Sequence, residues 1–100
     1  MSHIVELVSF NLKKDVSVPD FLLVSDKFNQ DFMSGQKGYI SRKLLVKGDT
    51  WTDLVLWESI EDAKNAAKAI YESAVAAEYI AFIEDEESDE LLYFSVERSY

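Results

Sequence analysis

The chain has 100 residues, of which 48% are hydrophobic and 13% aromatic, so we expect a single domain over residues 1–100 with a real core. The formal net charge of -9 would repel phosphate backbones and anionic lipids, which argues against nucleic acid and membrane partners. With no cysteine, no signal-peptide pattern and no membrane-length apolar run, the sequence predicts a cytoplasmic protein.

The first half of the chain predicts a strand, a helix and a second strand. Residues 3–12, HIVELVSFNL, are rich in β-branched and aromatic types, which is typical of a strand. Residues 18–35 predict an amphipathic helix, with Ser17 as a weak cap and Gly35 at its exit. Its apolar stripe recurs every three or four positions: Phe21, Val24, Phe28 and Phe32. Residues 39–47, YISRKLLVK, predict the second strand.

The second half repeats this order. KGDT predicts a tight turn into a third strand, WTDLVLWES, so strands two and three should form a hairpin. A helix with a stripe of small residues follows, with a break near Ser73 and a further helical piece through about Ile83. The acidic run over residues 84–90 lacks the glycine and the ligand spacing of a calcium loop, so we interpret it as a solvated connection. LLYFSVERSY predicts the last strand.

The order βαββαβ predicts an α+β, ferredoxin-like fold: a four-stranded antiparallel sheet with two helices on one face. The third strand, however, is apolar on both faces, with Trp51, Val55 and Trp57 on one side and Leu54 and Leu56 on the other. The second apolar face of such a sheet must also be buried, and packing against another copy of the same chain is the simplest way to bury it. We therefore expect a homodimer that forms through the open sheet faces.

The segment GYISRKLL, followed by W-x-D-x-x-x-W-E-S and an Ala-rich helix, resembles the dimeric α/β-barrel superfamily, and within it the antibiotic-biosynthesis-monooxygenase type of domain. The resemblance spans almost the whole chain. It implies a dimeric α/β barrel with an active site between sheet and helices. One branch of the family oxidises anthrone-like phenols to quinones without metal or flavin, so the resemblance implies neither a cofactor nor a metal site.

That branch carries an Asn and a Trp four residues apart on the third strand, just before a Glu-Ser. Matching W-E-S to this sequence places Trp57 at the Trp position and Asp53 at the Asn position. Strand alternation independently places residues four apart on one face. The sequence departs from the branch at two positions: the tyrosine expected early in the following helix falls at or near Ala63, and a later arginine falls near Ala77 or Glu78.

The haem-degrading branch of the family fits worse. It carries a Trp and a His on the second helix, whereas residues 60–83 contain neither, so we reject haem cleavage. The one histidine, His3, has no Asp, Glu or Cys at ligand spacing and is interpreted as a surface or strand-end residue.

Asp53 is the candidate general base and Trp57 the candidate stacking wall. A carboxylate partly desolvated beside an indole binds a proton more readily, and can take one from a phenol or enol so that the resulting anion reacts with oxygen. The alternative is that Asp53 is a structural carboxylate that accepts hydrogen bonds from a loop or a lysine, and that Trp57 only fills the core.

Three further residues are candidates for the pocket. Glu6 lies on strand one, beside strand three, and faces either the helices or the dimer interface, where it would pair with Arg42 or Lys43. Phe28 and Tyr79 lie on the helices that cover the sheet. Tyr79 either closes a pocket or joins the core.

The residues leave two functions open. The first is a cofactor-independent monooxygenase that acts on a small aromatic or phenolic compound. The second is a non-catalytic homodimer that binds a small ligand or a partner protein. A buried, unpaired Asp53 beside an open cavity would favour the first, and a salt-bridged Asp53 with the cavity filled by Phe28 and Tyr79 would favour the second.

Overall fold

The computed structural model describes residues 3–84 and 91–100, which form a four-stranded antiparallel sheet covered by three helices. The strands are β1 (Ile4–Asn11), β2 (Tyr39–Lys47), β3 (Thr50–Trp57) and β4 (Leu91–Ser95), and they lie in the order β2-β3-β1-β4. The helices are α1 (Val18–Asp31), α2 (Ile60–Ala69) and α3 (Ala74–Ile80). This is the predicted ferredoxin-like fold. In the described part of the chain, no helix is both long enough and apolar enough to cross a bilayer.

A serine caps the start of each helix. The Ser17, Ser59 and Ser73 hydroxyls accept hydrogen bonds from the backbone N–H three residues later, at 3.2, 3.1 and 3.2 Å. Such bonds satisfy N–H groups that the first helical turn leaves without a partner. The break predicted near Ser73 is therefore confirmed: α2 ends in a 3₁₀ turn, Ile70–Glu72, and Ser73 begins a new helix.

Two helices end earlier than predicted. α1 stops at Asp31, because Phe32 leaves the helical region with φ -125°, and a 3₁₀ turn, Met33–Gly35, follows. α3 stops at Ile80, since the chain beyond it turns to pair with the end of β1, where Lys13 donates to the Phe82 carbonyl.

The last strand was predicted over residues 91–100, but β4 stops at Ser95. It pairs with β1, which begins at Ile4 opposite Ser95, and the Val96 N–H adds one further bond, to the His3 carbonyl at 2.9 Å. The predicted solvated connection over residues 84–90 lies outside the described residues apart from Glu84.

The sheet has a buried face and an open face, as the alternation predicted. The helix-facing side of β3 is buried throughout: Trp51, Asp53, Val55 and Trp57. On the other side Leu7 lies opposite Leu54 and Val5 opposite Leu56, and all four are only partly covered. Leu45, Leu92 and Phe94 on the flanking strands are 43%, 42% and 50% exposed.

The core lies between the buried face and the helices and is largely aromatic. Phe21 of α1 is fully buried, with its ring centroid 5.2 Å from that of Trp51 and 5.4 Å from that of Tyr79. On α2 the buried positions are Ala63 and Ala66, whose small side chains allow the helix to lie close to the sheet. The predicted contact stripe of α2 is therefore confirmed at these two positions.

Gly38 permits a close approach that a side chain would prevent. Its φ is +82°, its carbonyl accepts from the Glu58 N–H at 2.8 Å, and a Cβ there would collide with the Asp62 side chain. We expect Gly38→Ala to lower the free energy of unfolding by about 2 kcal/mol. Gly35→Ala is the matched control, since no atom lies within 4 Å of its Cβ position. Urea denaturation measures both, and equal losses would contradict this interpretation.

Candidate functional site

Asp53 lies in the middle of β3, under the helices, and is 8% exposed. Its Oδ1 accepts a hydrogen bond from Arg42 Nε at 3.0 Å, and Arg42 Nη2 lies 2.9 Å from the same oxygen. Its Oδ2 accepts from the Tyr79 hydroxyl at 2.7 Å. Both carboxylate oxygens are therefore paired, and Asp53 forms a buried salt bridge.

Arg42 connects this carboxylate to two helices. Its Nη2 donates to the Ser25 hydroxyl of α1 and to the Tyr79 hydroxyl of α3, each at 3.0 Å, and Nη1 lies 3.4 Å from the Ser25 carbonyl. The guanidinium carbon lies 5.2 Å from the ring centroids of both Phe28 and Tyr79. We call Arg42, Asp53, Tyr79 and Ser25 the buried network. It joins β2, β3, α1 and α3.

Burial sets the proton affinities of this network. It raises the pKa of Asp53 above that of an exposed carboxyl, while the Arg42 charge and the hydrogen bonds from Tyr79 and Arg42 oppose the rise. The pKa of Tyr79 is also raised, mainly by burial and then by the neighbouring Asp53 charge. The Tyr79 hydroxyl therefore stays protonated and donates to a carboxylate that binds a proton more readily than one in water.

Glu6 and Trp57 form a second buried pair beside the network. Trp57 Nε1 donates to Glu6 Oε1 at 2.8 Å, and the two residues are 1% and 9% exposed respectively. Burial raises the pKa of Glu6, the Trp57 hydrogen bond opposes this, and the Asp53 charge adds to it. Of the two orientations left open for Glu6, the structure shows the helix-facing one, so pairing with Arg42 or Lys43 in an interface is wrong.

A cleft of about 380 Å³ opens between α1 and the hairpin of β2 and β3. We call it the α1 cleft. Eight residues line it: Leu22, Ser25, Asp26, Asn29 and Gln30 from α1, Arg42 and Leu44 from β2, and Trp51 from β3. Arg42 and Ser25 thus belong to both the α1 cleft and the buried network. A molecule in this cleft would therefore contact Arg42, the salt-bridge partner of Asp53.

The five residues predicted from the sequence lie together under the helices, but they are packed against one another and do not line the α1 cleft. The Phe28 and Tyr79 rings stack with centroids 4.4 Å apart and planes within 5°. The Trp57 indole is covered almost completely, and its nitrogen is bound to Glu6. Asp53 is thus salt-bridged, and Phe28 and Tyr79 fill the space beside it, which was the condition favouring a binding function.

Ser25 and Trp51 are site residues that were not predicted from the sequence, and Arg42 was expected only as an interface partner for Glu6. The signal for Arg42 was present in the hairpin. A turn at Gly48 and Asp49 pairs Leu44 with Asp53 and Arg42 with Val55, so Arg42 and Asp53 are diagonal neighbours on one face. Ser25 had no comparable signal, because only the packing of α1 brings its hydroxyl to Arg42.

Metal ligands do not cluster in the part of the chain that the structure describes: no three His, Asp or Glu side chains converge there. His3 lies exposed just before β1, in agreement with its interpretation as a strand-end residue.

Solved structures share this fold at low sequence identity. SnoaB, a cofactor-independent oxygenase from Streptomyces nogalater, matches with a TM-score of 0.75 and 15% identity over 99% of this chain and 97% of that one. A monooxygenase from the gene ActVA-Orf6 of Streptomyces coelicolor, in complex with the ligand nanaomycin D, matches at 0.71 and 14% over 99% and 91%. A conserved protein from Methanosarcina mazei Go1 matches at 0.69 and 14% over 94% and 92%.

At these identities the likeness shows the fold alone, which is the one predicted from the sequence motifs. No protein-family model matches the sequence, and no curated protein matches it either.

Glu6 should make stability depend on pH in a defined direction. The pKa of Glu6 is raised in the folded state. Its contribution to the free energy of unfolding is therefore fully present below about pH 4.5, the pKa of an unperturbed glutamate, and is lost as pH rises through the folded-state pKa. Glu6→Gln removes the buried charge and keeps an acceptor for Trp57. We expect it to raise the free energy of unfolding at pH 7 by about 1 kcal/mol.

Urea denaturation of both proteins between pH 4 and pH 8 measures this difference, which should shrink towards acid. Glu58→Gln, at an exposed position at the end of the same sheet, is the matched control and should show no such trend. A constant difference across the range would contradict the assignment to Glu6.

Proposed function

We propose that the protein is a cofactor-independent monooxygenase that acts on a small aromatic or phenolic compound. The observation that carries the proposal is the hydrogen bond from the Tyr79 phenol to Asp53 Oδ2, which can pass a proton even though Oδ1 is held in the salt bridge that favours a binding function. Perturbed carboxylates of this kind are common at active sites. The fold shared with two oxygenases supports the same chemistry, although at low sequence identity.

In the proposed reaction Asp53 is the general base. Neither Asp53 nor Tyr79 lines the α1 cleft, so the proposal requires the substrate's phenol or enol to reach past Arg42 to the Tyr79 hydroxyl. That hydroxyl then passes its own proton to Asp53 Oδ2 and takes one from the substrate. Arg42, whose Nη2 lies 3.0 Å from the Tyr79 oxygen, stabilises the substrate anion. Trp57 is too deeply buried to stack on a substrate; it donates to Glu6 and does not line the α1 cleft.

The substrate anion then supplies the electrons that oxygen needs. A C–O bond forms between the activated substrate carbon and O₂, which gives a peroxide anion. The O–O bond and the remaining C–H bond of that carbon then break, which leaves a carbonyl and releases hydroxide, so that a CH₂ group and O₂ become C=O and, once the hydroxide is protonated, H₂O. The proton held at Asp53 returns to the departing hydroxide, which restores the carboxylate for the next turnover.

The pairing of Asp53 favours a second candidate function, the binding of a small molecule without catalysis. A carboxylate held by Arg42 and Tyr79 needs no chemical role to explain its burial, because its charge and both oxygens are satisfied. In that case the network fixes the floor of the α1 cleft, and the ligand leaves unchanged.

Oxygen uptake separates the two candidates. With an anthrone-type phenol in metal-free buffer, we expect the wild type to consume oxygen faster than buffer alone. Asp53→Asn, which keeps the shape of the side chain, and Tyr79→Phe should each lower the rate by about 100-fold, the usual contribution of a positioned proton acceptor. Glu78→Gln is the matched control, because Glu78 adjoins Tyr79 on α3 but makes only an exposed pair with Lys27.

No uptake by the wild type, together with saturable binding of the same phenol, would exclude the oxygenase and leave the binding function. Uptake that is unaffected by Asp53→Asn would exclude Asp53 as the base.

We further propose that two copies of the chain pack through the open sheet faces, in the cytoplasm, whose reducing conditions suit a chain without cysteine. The exposed apolar residues of this face support a partner, since Leu45, Leu92 and Phe94 lie on one surface with the half-covered Leu7 and Leu54. Two identical faces of this kind suit a two-fold interface.

Sedimentation measures this assembly. We expect the wild type to be a dimer at micromolar concentration and Leu54→Lys to be a monomer with unchanged helix and strand content, because a charge at the centre of the face cannot be buried without a partner. Leu23→Lys, at a position 68% exposed on α1, should remain a dimer. A monomeric wild type would exclude the proposal.

A further inference from the structure

We infer that the ligand binds in the α1 cleft against the indole of Trp51, with its oxygen on Arg42, and not beside Trp57. The inference rests on the proposed function, because Arg42 is the residue that joins this cleft to Asp53. It names the ligand's position and its chemical class.

Trp51 is the aromatic residue among those that line the cleft. It is 9% exposed, and its indole makes an edge-to-face contact with Phe21 at 5.2 Å and 73°. This contact with α1 holds the indole in place, so a ligand in the cleft would meet a fixed aromatic side chain. Trp57 offers no such surface, because it is 1% exposed and bound to Glu6.

Arg42 has a hydrogen-bond donor to spare at the same place. Of its five N–H groups, that of Nε bonds to Asp53, and the two of Nη2 are used by Ser25, Tyr79 and Asp53. Nη1 carries two N–H groups and, within the described residues, makes one long bond of 3.4 Å to the Ser25 carbonyl. At least one N–H of Nη1 therefore remains for an oxygen of the ligand.

The charges and the size of the cleft define the class of ligand. Asp53 already balances the charge of Arg42, and Asp26 lines the same cleft, so a ligand with several negative charges would be repelled. A single hydroxyl, phenolate or carbonyl oxygen suits the remaining donor. The volume of about 380 Å³ is at the small end of ligand pockets. The ligand we infer is a compact, planar, hydroxylated aromatic compound.

Binding of 2-naphthol under nitrogen, measured by calorimetry, tests the position of this ligand. Leu22 lines the cleft and is 42% exposed, so Leu22→Trp can fill the cleft without disturbing the core, and we expect it to weaken binding at least about 10-fold. Leu23→Trp is the matched control: the next residue of α1 does not line the cleft, and its variant should bind within about two-fold of the wild type.

Two further comparisons test the roles of Trp51 and Arg42. Trp51→Ala should weaken 2-naphthol binding by about 10-fold, while Trp57→Phe should change it by less than about two-fold. Naphthalene lacks the hydroxyl and should bind the wild type about 10-fold more weakly than 2-naphthol, since it leaves the Arg42 donor without an acceptor. Equal effects at the two tryptophans, or equal affinity for the two probes, would overturn the inference.

Oxygen uptake by the same variants separates this inference from the proposed function. Loss of both 2-naphthol binding and uptake in Leu22→Trp supports both. If Leu22→Trp weakens 2-naphthol binding but the wild type takes up no oxygen, the oxygenase function is refuted and the binding site in the α1 cleft is retained. Uptake that persists in Leu22→Trp, or a wild type that does not bind 2-naphthol, refutes the site.

Discussion

The buried salt bridge between Arg42 and Asp53 constrains more of this structure than any other single contact. Two charges taken out of water are costly, and removing one partner of such a pair generally costs about 3–5 kcal/mol because the other is left unpaired. Here the two charges lie 2.9 Å apart, the Ser25 hydroxyl accepts a further bond from Arg42, and the Tyr79 hydroxyl donates one to Asp53. Strand β2, strand β3 and helices α1 and α3 therefore share one arrangement in which every charge is satisfied.

Aromatic side chains of the helices pack against the buried network and determine where unfilled space remains. Phe28 and Tyr79 stack on each other beside the guanidinium, and Phe21 fills the gap between Tyr79 and Trp51. The region around Trp57 is thereby closed, and space remains on the other side of Arg42, along α1. Fold and site are determined by different residues, so the shared fold does not by itself fix where a ligand lies.

The two faces of the sheet have separate consequences. On the helix side, two carboxylates, Asp53 and Glu6, lie close enough for the charge of one to raise the pKa of the other. Asp53 has the Arg42 cation beside it. Glu6 depends on a neutral donor, Trp57, and burial and then the Glu6 charge raise the pKa of Tyr93 across the β1–β4 pair. On the open side the strands present leucine, valine and phenylalanine, so the same alternation that buries the acids leaves an apolar surface.

The sequence by itself determined the order of the elements, the serine caps, the hairpin and the face on which Asp53 and Trp57 lie, because these follow from local periodicity and turn chemistry. Through the turn at Gly48 and Asp49 it also contained the register that makes Arg42 a diagonal neighbour of Asp53.

Only the tertiary structure decided that Tyr79 reaches Asp53 from 26 residues away, that Glu6 meets Trp57 across 51, and that the open space lies beside Trp51. Such contacts depend on how helices settle on the sheet and which side chains fill the gap between them. Packing at this density is set by all the neighbours together, and no local pattern in the chain records it.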